Sequence, residues 1–506
     1  MLRPGWNCDP LVKAHRFALL VDGADYYYAL EQSIRHARRT VIIVGWDLDS
    51  RVRLGPGAGA NEDQLVPPIR DFLPAAARAK PELNIYILTW DFPFLFANVR
   101  DPKLVRARDP FAHPRVHLKF DSTHPPGASQ HQKIVVVDDG LAFAGGMDIA
   151  GGRWDTSEHR AYDTRRSGKK HPYPPTHDVQ AMVDGDAARA LAAIVRDRWY
   201  RATGESIPDQ AANPDVWPGD ITPDVEDVFV GISRTDFAAD ATQERREVER
   251  LHLDLIAAAR RLMYIENQYL TSSTIVAALC DRLRQSDGPE IVIVLPLNNA
   301  GWLEEHTIEP LRFRWMRRLR EADRFQRLRI CYPVVPGLDG DGVQVHSKVL
   351  IIDDQLLRVG SSNLTNRSMR LDTECDLTIE ATSAAHRRGI TTLRNRLLAE
   401  HLGLSVDAVE AFLTSDPSLV RLVDSRRMES RSLREVSAEA EDAEPLVDDE
   451  FIDPSRPLTP GRVIKAMATS SAIKRLLPVA LIGAAMTLGL WALWRARKAT
   501  SIPTTR

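Results

Sequence analysis

Two stretches of this 506-residue sequence set a histidine, a lysine and an aspartate at one fixed spacing, HxKxxxxD. The first is His131-Gln132-Lys133 running through four β-branched residues to Asp138. The second is His346-Ser347-Lys348 running through Val349-Leu350-Ile351-Ile352 to Asp353. A free imidazole titrates near neutral pH, so it can attack, donate a proton or accept one there. An ammonium two residues away suits an anionic reacting centre. A lysine on an apolar segment is expensive unless it is paired or functional, and Lys348 is the only lysine between residues 171 and 464. Each motif is followed by a turn of small residues, Gly145-Gly146-Met147-Asp148 and Gly360-Ser361-Ser362-Asn363. Two imidazoles and two ammonium groups fit one cleft in which one histidine attacks and the other moves protons.

The elements that must position these groups follow from the same residues. The valine and isoleucine runs predict buried strands, on which residues i and i+2 share a face. Each His and its Lys then project together, while Asp138 and Asp353, at an odd offset, turn away and brace the structure without touching substrate. The chain also repeats. A helical stretch over 23–38 leads into Val41-Ile42-Ile43-Val44, and another over 243–261 leads into Met263-Tyr264-Ile265. The joints Ala37-Arg38-Arg39 and Ala259-Arg260-Arg261 match, and a second apolar strand follows in each half, Asn84–Leu88 and Ile291–Leu295. Helices alternating with short β-branched runs predict an α/β fold. Two pseudo-symmetric lobes with buried mixed sheets, residues 10–215 and 225–424, are expected to share one cleft, bridged by the Pro- and Asp-rich stretch 205–228. Residues 311–329 hold eight arginines over the stripe Leu311, Trp315, Leu319 and Ala322, which reads either as a solvated face over a packed stripe or as a lipid-facing helix.

Composition bounds what such a chain does. A net charge of −3 argues against a dedicated nucleic-acid binder. The four cysteines lack CxxC or zinc spacing and read as buried thiols. The first 18 residues show no signal-peptide pattern. From Glu435 to Asp453 the sequence is acidic without a basic residue, and prolines follow, so 425–475 reads as a solvated linker. Leu476–Trp494 is uncharged, flanked by Lys474, Arg475, Arg495 and Arg497, and as a helix spans roughly 28 Å, the thickness of a bilayer core. A single C-terminal membrane helix with the catalytic part cytoplasmic is the expectation.

The motifs together resemble the phospholipase D superfamily, specifically the eukaryotic-type phospholipases. The resemblance rests on the double HxKxxxxD, on GGxD followed by Gly152-Arg153-Trp154-Asp155 and His159-Arg160, on Ile265-Glu266-Asn267-Gln268, and on Asn366-Arg367-Ser368. It covers roughly residues 15–420 and implies hydrolysis of the distal phosphodiester of phosphatidylcholine or phosphatidylethanolamine, with transfer to other alcohols. It implies a phosphohistidine on His131, His346 as general acid, and Lys133 and Lys348 on the phosphoryl oxygens. Sequence symmetry alone does not choose between the two histidines. The carboxylates that orient the histidines match Asp163 and Glu374, and Asp148, Ser361 and Asn363 match groups near the phosphate. No metal or other cofactor is implied. The expected partner is a phospholipid membrane, not nucleic acid, and one chain carries both motifs, so a monomer is expected. Cardiolipin synthase-type phosphatidyl transfer, nuclease activity and a non-catalytic scaffold are the alternatives. The first two share the chemistry, and the intact motifs speak against the third.

Overall fold

The computed structural model describes residues 1–55, 66–91, 109–166, 173–237, 244–298, 302–338, 342–437, 452–457 and 459. Among these residues a single 16-stranded mixed sheet runs through both halves of the chain. Its centre is an antiparallel pair, Leu11–Val21 against Val225–Asp236. Outward from the first follow Val179–Asp184, Leu141–Gly145, Ile134–Val137, Thr40–Gly45, Asn84–Trp90 and Val116–Asp121. Outward from the second, in matching order, follow Glu374–Glu380, Leu356–Gly360, Val349–Ile352, Leu262–Glu266, Glu290–Val294 and Leu328–Val334. The senses match too: Thr40–Gly45, Asn84–Trp90 and Val116–Asp121 run parallel, as do Leu262–Glu266, Glu290–Val294 and Leu328–Val334, and every pairing between these sets and the central pair is antiparallel. The two lobes expected as separate sheets are therefore halves of one sheet, because Val225–Asp236, at the end of the expected bridge, pairs with the first strand.

The strands are near-continuously apolar because helices cover both faces. One face packs Asp22–His36 and Ile69–Ala79 in the first half, and Glu247–Ala258, Ser273–Arg284 and Trp302–Ala322 in the second. The other carries Gly185–Thr203 and Ala384–Leu402 over a core that spans the central pair. Leu311, Trp315, Leu319 and Ala322 are buried in the second-half core, and the Arg312 guanidinium donates to the carbonyls of Pro296 and Leu297 at 2.8 and 2.7 Å. The apolar stripe of the arginine-rich helix is thus packed against the protein's own core, with Arg317 and Arg318 exposed. All four cysteines are buried and free.

Asp138 and Asp353 do parallel work. Each starts a hairpin turn with positive φ, 47° and 52°, a conformation aspartate tolerates better than most residues. The Asp138 carboxylate accepts the backbone N–H groups of Arg38, Arg39 and Thr40 at 2.6, 2.8 and 2.8 Å. Asp353 accepts those of Arg260, Arg261 and Leu262 at 2.6, 2.7 and 2.9 Å. Each aspartate thereby ties the end of its motif strand to the joint at which a helix becomes the neighbouring strand.

The expected linker 425–475 needs correction. Helix Leu419–Arg426 runs into it, Ser432–Glu435 adds a strand beside Leu328–Val334, and Asp453 is buried. The open edge of a sheet gains from a partner strand. The Asp453 carboxylate accepts the N–H groups of Asn366 and Arg367 at 2.7 and 2.9 Å and the Thr271 hydroxyl at 2.7 Å. An acidic tail reads as solvated in sequence, yet free N–H groups at a helix start draw a carboxylate in. The expected membrane helix, 476–494, lies outside the described residues. Among those described, no helix is long and apolar enough to cross a membrane.

Candidate active site

His131 and Lys133 stand just before the strand Ile134–Val137, and His346 and Lys348 just before Val349–Ile352. The free main chain there reaches across to the opposite half. Ser129 N–H donates to Asp372 at 2.7 Å, and His131 N–H to the Thr373 carbonyl at 3.1 Å. That docking brings Glu374, the first residue of its strand, under His131: both carboxylate oxygens lie 3.0 Å from Nδ1. The second motif mirrors this. Gln344–Val345 pairs in parallel with Thr176–His177, and His346 N–H donates to the His177 carbonyl at 2.8 Å. Asp178 Oδ2 then lies 2.7 Å from His346 Nδ1. Each histidine is held by a carboxylate from the other half of the chain.

The carboxylate on His346 is therefore Asp178, and Asp163 does not take that place. Asp163 sits in a loop with both oxygens taken by Arg165, at 2.6 to 3.1 Å, and the guanidinium holds its carboxyl below the usual range. A signal for Asp178 was present in the repeat: it immediately precedes the apolar strand Val179–Asp184, whose counterpart in the second half begins at Glu374. The reach of Asp178 also explains the small-residue turn, because a Cβ on Gly146 would lie 2.2 Å from Asp178 Oδ1.

Lys133 Nζ donates to the His131 carbonyl at 2.9 Å and lies 3.3 Å from Asp148 Oδ2. Asp148 is fixed in turn by the N–H of Trp46 at 2.8 Å. Lys348, wholly buried, donates to its own motif's His346 carbonyl and to Gln268 Oε1 at 3.4 Å. Ser361 Oγ donates to Glu374 while accepting Cys375 N–H at 3.0 Å, so it stands behind the carboxylate. Asn363 is buried, and its Oδ1 has no hydrogen-bond partner among the described residues. Arg153, from the segment after the first turn, adds positive charge that acts on His346, Lys348 and Asp178.

The site is loaded with positive charge. Burial, followed by Lys133 and Lys348, pushes His131 well below its ordinary pKa, and burial with Lys348 and Arg153 does the same to His346. Burial likewise lifts Glu374 well above the carboxylate range and raises Asp178. Lys348 is pushed down to about 7, burial outweighing the attraction of Asp178. Such a site favours an anion, whose charge offsets the lysines and restores basicity to the histidines. An imidazole whose Nδ1 proton rests on a carboxylate presents Nε2 for attack or proton transfer.

Two other groups of histidines and carboxylates bring potential metal-ligating atoms together among the described residues: Asp22, His159, His177 and Glu400, and His177, Glu266 and His401. Both ring nitrogens of His159 and of His177 face carboxylate oxygens at 2.8 to 3.1 Å, so the cluster is an ionic hydrogen-bond network.

A family profile described as "Phospholipase D" matches residues 33–292, just over half of the chain, and one described as "Cardiolipin synthase, PLD-like domain" matches residues 252–388. Phospholipase D A of Dictyostelium discoideum is 26% identical, over 76% of this chain and 35% of its own length. Phospholipase D1 of Saccharomyces cerevisiae is 24% identical, over 77% of this chain and 29% of its own. The chain thus spans about a third of the length of these curated relatives. In three dimensions it is similar to phosphatidylserine synthase of Haemophilus influenzae Rd KW20, with a TM-score of 0.52, 13% identity, and 83% of this chain and 97% of that one covered. That likeness concerns the fold alone.

Proposed function

The chain belongs to the phospholipase D superfamily, on its eukaryotic-type branch, and from that premise we propose that it is a phospholipase D. It hydrolyses the distal phosphodiester of phosphatidylcholine or phosphatidylethanolamine to phosphatidate and the free alcohol, and passes the phosphatidyl group to other alcohols where these compete with water. The observation that carries this reading is the crossed pair His131–Glu374 and His346–Asp178, with a lysine beside each histidine. In the first step His131 Nε2 attacks phosphorus, the bond to the head-group oxygen breaks, and His346 gives that oxygen its proton. In the second, His346 takes a proton from water, whose oxygen attacks phosphorus and frees His131. Lys133 and Lys348 offset charge on the non-bridging oxygens throughout. One chain supplies both motifs and works as a monomer, held at a phospholipid membrane by the segment 476–494 with the catalytic part in the cytoplasm.

Labelled phosphatidylcholine with ethanol in the buffer tests the reaction: phosphatidylethanol is expected beside phosphatidate. Acid quench and peptide mass spectrometry are expected to place a phosphoryl group on the peptide containing His131. An adduct on the His346 peptide reverses the two roles, and the absence of both adduct and phosphatidylethanol refutes the two-step reaction. The match of residues 252–388 to the cardiolipin synthase profile favours a second reading. In that case phosphatidylglycerol outcompetes both water and ethanol as acceptor.

A further inference from the structure

Behind His346 lies a buried network drawn from both halves of the chain. The first half supplies Asp22, Asp155, His159 and His177; the second supplies Glu266, Glu400 and His401. His177 is at its centre, fully buried. Its Nδ1 lies 3.1 Å from Asp22 Oδ1 and 2.8 Å from Glu400 Oε1, and its Nε2 lies 2.9 Å from Glu266 Oε2. Glu266 is held on its other side by the Tyr264 hydroxyl at 2.6 Å and by His401 at 3.2 Å. Glu400 also meets His159 Nε2 at 2.9 Å, and His159 Nδ1 meets Asp155 at 3.0 Å. Only an imidazolium donates from both ring nitrogens. Although burial opposes its charge, Glu266, Glu400 and Asp22 hold the His177 pKa well above the ordinary value.

The network matters because of what residues 177 and 178 do next. The His177 carbonyl accepts the backbone N–H of His346, and the Asp178 carboxylate meets the His346 ring. Two contacts that fix the backbone and ring of His346 therefore come from two consecutive residues, and the side chain of the first is clamped by carboxylates from opposite halves. The His177 charge also favours ionised Asp178, the form that stabilises a protonated His346.

We propose that His177 is a positioning residue for His346: through the carbonyl of His177 and the carboxylate of Asp178, the buried network holds His346 where it can protonate the departing head group. The proposal rests on the reading of His346 as general acid. It predicts a defect confined to proton delivery, because attack by His131 is organised by Glu374 on the other side of the site.

The test compares two substrates that share the phosphatidyl part, phosphatidylcholine and phosphatidyl-p-nitrophenol, in single-turnover experiments. An alcohol needs a proton to leave and p-nitrophenolate needs little, and a positioned general acid contributes on the order of 10²–10⁴-fold. His177→Gln is expected to slow cleavage of phosphatidylcholine at least about tenfold more than cleavage of the nitrophenyl ester. Glu400→Gln, which keeps the shape of the network and removes one charge, is expected to show the same selectivity to a smaller degree, and it decides the matter if His177→Gln does not fold. Equal loss on both substrates in the folded variants makes His177 a packing residue and overturns the proposal. His346→Ala is the control: if it shows no selectivity, the assignment of the general acid fails, and the proposal fails with it for that separate reason.

Discussion

Asp138 completes the first motif, yet its carboxylate is spent on main chain, so its removal should cost stability and spare chemistry. Asp138→Ala leaves the N–H groups of Arg38, Arg39 and Thr40 without their acceptor and also loses the Asn213 amide at 3.0 Å. Hydrogen bonds to a charged group are worth about 1.5–3 kcal/mol each. Asp138 itself is only 1% exposed, but Arg38 and Arg39 are exposed, so water recovers part of the loss there. The expected destabilisation is about 3–5 kcal/mol, in the upper range for a single substitution. The equivalent Asp353→Ala should cost less, about 1–3 kcal/mol, because Asp353 is half-buried where Asp138 is buried, so water replaces more of the lost bonding. Guanidinium denaturation gives the ranking, and turnover per folded molecule at low temperature gives the chemistry. Asp138→Ala should keep at least about a third of wild-type turnover per folded molecule, since none of its bonds reaches the histidines. Near-complete loss of turnover with stability unchanged would refute the bracing role.

Asp178→Asn should lower turnover by about 10²–10⁴-fold, whereas Asp163→Asn, whose carboxylate only meets Arg165, should cost less than about tenfold; steady-state kinetics on phosphatidylcholine separate the two. His159 is held at about 9 against an ordinary 6.5, by Asp22, Asp155 and Glu400 acting against burial. A raised histidine stabilises fully below its unfolded pKa, so up to about 3 kcal/mol present at pH 6 should be lost as the pH rises through about 9. The thermal midpoint should accordingly fall more steeply between pH 7 and 9.5 in the wild type than in His159→Gln. Activity on a soluble short-chain phospholipid should survive chelator, because lysines supply the charge at the phosphoryl oxygens; complete loss restored by one divalent ion would contradict this.

Much of the fold was legible because its causes are local. The β-branched runs after Lys133 and Lys348 make strands wherever they pack, and the matching joints at Ala37 and Ala259 report the same helix-to-strand passage. The motif spacing singled out His131, Lys133, His346 and Lys348, and the odd offset marked Asp138 and Asp353 as braces. What the spacing did not contain was the crossing. Which carboxylate meets which histidine depends on Thr373 docking against His131 and His177 against His346, contacts between residues 242 and 169 positions apart. No local pattern encodes them; they follow from a central strand pair that joins the halves into one sheet. For the same reason the family resemblance points to Asp163, in Tyr162-Asp163-Thr164, while the fold sets Asp178 against His346. Burial is decided only in three dimensions as well: Asp453 reads as one more acid in an acidic tail until the free N–H groups of Asn366 and Arg367 draw it inside. Residue type and spacing thus singled out the candidate histidines and lysines, and the tertiary structure decided their partners and charge, because those depend on which distant segments exclude water together.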